Sequence, residues 1–138
     1  MTRALNQLQR LRAHQRREAT VALRQAEADR DAQRARVDAL VAGLSRARDA
    51  LDGDDAFDLA TWSAYRLQAE LGGRRERARL ASRQRETDLA AGRHRRAVQD
   101  ELGLANVVAA RDQAEAEVTR RSEGRILDEV ASRLRRVA

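Results

Sequence analysis

Few residues in this 138-residue chain could carry out covalent or metal chemistry. There is no cysteine, so neither a thiol nucleophile nor a disulfide is available. The two histidines, His14 and His94, lie far apart, and neither belongs to an H-x-x-H or E-x-x-H pair, the spacings that bring two ligands to one side of a helix. No G-x-x-x-x-G-K-[ST] or G-x-G-x-x-G loop offers backbone amides to a phosphate. No serine stands in a nucleophile-elbow pattern. The sequence therefore predicts a protein that is not an enzyme, takes no cofactor, metal or small-molecule substrate, and acts by contact. The residues suited to contact are concentrated. Phe57, Trp62 and Tyr65 are the only aromatics, all within residues 51–73, and aromatic side chains anchor interfaces. Trp62 and Phe57 can also simply close the end of a helical pair, and the two readings are compatible.

Charge is the second candidate. Twenty-eight basic residues, all arginine, face 22 acidic ones, for a net charge of +6. The densest clusters, Arg74-Arg75-Glu76-Arg77 and Arg93-His94-Arg95-Arg96, are short and interrupted, and no block of five like charges marks a binding tail. Interleaved acids and bases read first as a solvated helix surface laced with ion pairs.

The elements that hold these residues are helices. Charged residues make up 36% and aromatics 2% of a chain without proline, a composition of the coiled-coil and long-helix class. The predicted fold is all-α: one antiparallel two-helix coiled-coil hairpin with a short helix at the tip. Its first arm covers residues 3–51, its tip 52–73 and its second arm 74–136.

In the first arm Val37, Leu40, Leu44, Ala47 and Leu51 repeat at 3, 4, 3, 4, an a/d seam. The stripe runs back through Gln33, Asp29, Ala26, Ala22, Ala19 and Gln15 to Leu8 and Leu5. Its middle is small and polar, so little burial is expected there. The second arm's stripe is Leu80, Gln84, Thr87, Ala91, His94, Val98, Leu102, Ala105, Ala109, Asp112 and Ala116, then Leu127, Val130, Leu134 and Val137. In the tip, Asp52, Asp54 and Asp55 surround Gly53 and favour a turn, Asp55 or Asp58 can cap a helix over 58–71, and Gly72-Gly73 ends or bends it. The second arm is the longer and should overhang the first unless the tip helix absorbs the difference. No apolar run approaches the roughly 18 residues a membrane span needs, and the N-terminus lacks a signal-peptide core. A cytoplasmic protein is expected.

Two stretches resemble one family. Residues 61–71, with Trp62, Tyr65 and Leu71, resemble the W-x-x-Y…L segment that follows the tip in FliJ, the flagellar export stalk family. Residues 124–135 resemble its C-terminal signature, here Leu127, Asp128, Glu129, Val130, Ala131 and Arg133 after a basic run. The injectisome counterparts of the YscO group share the architecture. Together the two stretches cover about 25 residues.

The FliJ/YscO resemblance implies a non-enzymatic stalk in the central hole of a hexameric type III secretion ATPase. Such a stalk promotes hexamer assembly and couples the ring to the membrane export gate subunit and to export chaperones. It implies a cytoplasmic location, peripheral at the cytoplasmic face of the inner membrane, in a flagellar or an injectisome system. Carried onto this chain, the ATPase contacts would be Leu5, Leu8, Arg10, Arg12 and Arg16 on one arm and Arg121, Arg125, Asp128, Glu129 and Arg133 on the other. The export-gate or chaperone contacts would be Trp62, Tyr65, Leu67 and Leu71. Two other readings remain open. One is a basic coiled coil that binds nucleic acid through its arginine clusters, against which the interleaved acids and the lack of stacking aromatics along the arms count. The other is a generic adaptor or homo-oligomer built on the thin seam.

Overall fold

A computed structural model of the chain describes residues 2–52 and 59–137. All of them are helical, in α1 (Thr2–Asp52) and α2 (Leu59–Val137), and the two helices pack against each other as an antiparallel two-helix hairpin. The expected turn around Gly53, the capping roles of Asp55 and Asp58, and Phe57 lie outside the described residues. Abundant Ala, Leu, Arg and Glu favour helix, and surface pairs one turn apart add a few tenths of a kcal/mol each. Arg66–Glu70 at 3.0 Å and Arg111–Glu115 at 2.9 Å are two of these.

The tip differs from expectation. Residues 59–73 are not a separate short helix but the opening turns of α2, which runs through Gly72 and Gly73 without a break. Among the described residues no glycine has a positive φ. A helical glycine costs about 1 kcal/mol relative to alanine. That cost is met here because Ala69, Gly73, Glu76 and Leu80 follow one another at seam spacing, each partly covered.

Contacts divide the chain into two compact units, Arg16–Arg96 and Met1–Gln15 with Ala97–Ala138. In the first unit the inward side of α1 is Arg16, Ala19, Leu23, Ala26, Arg30, Gln33 and Val37, an unbroken alternation of three- and four-residue steps. The expected stripe took two four-residue steps in a row and so drifted by one position, about 100° around the helix. Ala22, placed on the seam by that reading, is exposed. On α2 the expected Leu80, Gln84, Thr87, Ala91 and His94 do face inward.

The centre of this seam is polar. Gln33 is 5% exposed and Thr87 4%, and no apolar side chain among the described residues is fully buried. The Gln33 amide donates to the Glu76 carbonyl at 3.1 Å and to the Glu76 carboxylate. The Thr87 hydroxyl lies 2.9 Å from the Arg83 carbonyl in its own helix and 3.2 Å from that of Ala26 in α1. Arg83 reaches Asp29 at 3.8 Å. Each cross-helix partner further along α1 meets one earlier in α2, which is the antiparallel pairing.

In the other unit, Leu5, Gln9, Arg12 and Ala13 of α1 are half-buried, as are Ala97, Val98, Glu101, Leu104, Val108 and Arg111 of α2. Leu8, Gln15, Leu102, Ala105, Ala109 and Asp112, assigned to the seam from sequence, are exposed instead. Arg12 crosses to Asp100 at 3.3 Å. Past Arg111, α2 continues with every position exposed except Gly124. The expected overhang is therefore present within this unit, about 39 Å of helix at 1.5 Å per residue.

Candidate functional site

The overhanging end of α2 presents an uncovered apolar row. Leu127, Val130, Leu134 and Val137 repeat at 3, 4, 3 and are 48% to 87% exposed. A helix of a soluble fold normally buries such a face, and its exposure marks a contact surface. Charge frames the row. Arg121 pairs with Glu117, and Arg133 with Glu129 at 3.0 Å. Arg125 and Asp128 make no ion pair among the described residues and are exposed.

The expected residues at the other chain end divide by orientation. Leu8 and Arg10 are exposed, whereas Leu5 is half-buried. Arg12 is half-buried too, its guanidinium held by Asp100 and by Gln15 at 3.2 Å. Arg16, the last of the set, is half-buried and belongs to the Arg16–Arg96 unit. Arg12 therefore ties α1 to α2, and Arg16 lies on the inward side of α1. Leu8 and Arg10 are the ones presented outward.

The four residues expected near the tip form two pairs and not one patch. The Trp62 and Tyr65 rings stack with centroids 6.0 Å apart and an interplanar angle of 26°. Offset stacking of this kind holds two rings as one block. Leu67 and Leu71 are exposed one turn apart from each other. At about 100° per residue, Leu67 lies roughly 140° and Leu71 roughly 180° around the helix from Trp62.

A groove in the Arg16–Arg96 unit was not anticipated. It has a volume of about 430 Å³ and is lined by Val37, Leu40, Val41 and Leu44 of α1 and by Ala69 and Gly73 of α2, with Glu70, Arg74 and Arg77 at its rim. Gly73 contributes no side chain to it, and a Cβ there would meet nothing within 4 Å. The sequence carried the signal, a glycine at a seam position opposite a leucine-rich turn.

Among the described residues no group of His, Cys, Asp or Glu is placed to hold a metal ion. His94 is half-buried on the seam and His14 is exposed. No described helix is long and apolar enough to cross a membrane. Comparison with protein-family models, with curated proteins and with solved structures gives no match.

Proposed function

We propose that this chain is a non-enzymatic coiled-coil stalk of a type III secretion ATPase, flagellar or injectisome. In this reading it promotes hexamer assembly and links the ring to the export gate and to export chaperones at the cytoplasmic face of the inner membrane. One observation carries the reading. The last part of α2 is an exposed helix with an apolar row, Leu127, Val130, Leu134 and Val137, beside Arg125 and Asp128, which make no ion pair among the described residues. A lone helix with an uncovered row suits a partner that surrounds it, because burial on several sides can then offset its ordering. The resemblance of residues 124–135 to the FliJ signature falls on this same segment. Within the reading, Leu8 and Arg10 are the N-terminal residues that reach the ring, and Arg12 keeps the pair closed. Trp62 with Tyr65, and Leu67 with Leu71, offer two separate contacts to gate and chaperones.

The test mixes the purified chain with the export ATPase encoded beside it and follows ring formation and ATP turnover. Faster turnover, one copy of the chain per ring, and loss of both on deleting residues 112–137 are the expected results. No binding and no stimulation would overturn the proposal. A stable dimer of the chain that hides the row would instead favour a homo-oligomeric adaptor.

A further inference from the structure

Residues 74–96 of α2 hold nine arginines against three acids, Glu76, Glu86 and Asp88, a net charge of +6 equal to that of the whole chain. The arginines are sorted by direction. Arg79 is paired with Glu76 at 2.9 Å, and Arg83 with Glu86 at 3.1 Å and Asp29 at 3.8 Å. Arg77 and Arg93 are exposed as well. Five others, Arg74, Arg75, Arg85, Arg95 and Arg96, lie on one side of α2, with Arg75, Arg85 and Arg96 turned away from the seam and Arg74 and Arg95 flanking it. All five are exposed, and none makes an ion pair among the described residues. Two acids of this stretch are exposed: Glu86, which is paired with Arg83, and Asp88, which accepts from the Gln84 amide at 3.5 Å and keeps its charge.

The surface between the arginines is low. Ala78, Ala81, Ser82 and Gly92 fill the other outward positions, with Leu89 at the centre. Arg74 with Arg75 and Arg95 with Arg96 form pairs roughly 31 Å apart, with Arg85 about halfway between them. Five long guanidinium arms thus project from one helical face, unpaired among the described residues and offset there only by Asp88.

We infer that this face adsorbs to an anionic phospholipid surface. A straight row 31 Å long engages a plane at both ends at once, whereas the groove of a nucleic acid duplex curves away from a straight helix within a few base pairs. The face also lacks aromatic side chains for stacking on bases, and its outward positions carry no Asn or Gln for reading base edges. With Leu89 as its only large apolar residue, the face does not insert into the hydrocarbon. Attachment is electrostatic, each arginine contributing through the negative surface potential, and it weakens within a Debye length or as salt rises. The inference is independent of the stalk reading, because it needs no ATPase.

The experiment sediments the full chain with vesicles of phosphatidylcholine alone and of phosphatidylcholine with about a third phosphatidylglycerol, at low and at roughly physiological salt. Binding to the anionic vesicles only, weakening with salt, is expected. The triple variant Arg74→Gln/Arg85→Gln/Arg96→Gln should lose about a hundredfold in affinity, near fivefold per arginine. The same three changed to Lys should retain it, which separates charge from folding. Arg24→Gln/Arg34→Gln/Arg48→Gln removes equal charge from α1 and should stay within about threefold of the unaltered chain, since nonlocal charge is screened. Equal losses in the two Gln triples would overturn the inference. So would binding to neutral vesicles, or tighter binding to a DNA duplex at matched phosphate concentration, which would assign the face to nucleic acid.

Discussion

Replacing Gln33 by alanine tests whether the polar centre of the seam stabilises the hairpin. Gln33 is 5% exposed and makes two cross-helix bonds, to the Glu76 carbonyl at 3.1 Å and to its carboxylate. A neutral bond contributes about 1 kcal/mol net and one to a charged group about 1.5–3 kcal/mol. The low end applies, because the Glu76 carboxylate keeps Arg79 at 2.9 Å and is not stranded. Alanine recovers a few tenths of a kcal/mol in helix propensity. The net expectation is a loss of about 2 kcal/mol. With an unfolding entropy near 2.1 cal/mol/K per residue, that lowers the melting temperature by roughly 7 °C for a chain of this length. The control is Gln25→Ala. Gln25 is exposed and donates to Asp29 within its own helix at 3.0 Å. Such a pair contributes only about 0.3–0.5 kcal/mol, most of it returned by propensity, so a shift near 1 °C is expected. Thermal melts followed by circular dichroism at the helix band measure both. Equal shifts in the two variants would refute the assignment of stability to the buried amide.

Three further outcomes follow from the same geometry. Gly73→Ala should raise stability by about 1 kcal/mol, since the position is helical and a Cβ meets nothing within 4 Å; a lower melting temperature would mean that the backbone there is not helical. Leu44→Glu puts a charge on the half-buried floor of the groove and should lower the melting temperature by several degrees, corresponding to about 2 kcal/mol; an unchanged melt would count against Leu44 as a seam residue. Trp62→Ala with Tyr65→Ala should leave the melt within about 2 °C, because the rings stack chiefly on each other, yet reduce export in cells; normal secretion would remove the tip from the proposed contacts.

The two-helix architecture was legible because helix formers, the absence of proline and a glycine-aspartate break act over long stretches. The ends of α1 fall within one residue of the expected arm. The seam was less legible, for a physical reason. Selecting small and apolar residues picks Ala22 and Leu102, but the inward positions are held by Leu23 and Glu101, with Arg12, Arg16, Arg30 and Arg111 along the same lines. Arginine and glutamate reach such positions by laying aliphatic stems along the seam and turning their heads outward, which a hydropathy pattern does not register. Gly72-Gly73 was read as a boundary because glycine is a weak helix former. Neighbours that bury against α1 hold the helix through it. At the candidate sites, the Trp62–Tyr65 spacing and the C-terminal apolar row were visible in sequence. The sorting of arginines into paired and unpaired sets was not, because it depends on which side of α2 each one faces.

A seam with no fully buried apolar side chain among the described residues sets how this protein responds to temperature. The heat-capacity change of unfolding grows with the apolar surface that melting exposes. Here that surface is small for the chain's length, so the curve of stability against temperature is shallow. The hairpin has no sharp optimum, resists cold denaturation, and shows a low sensitivity to denaturant.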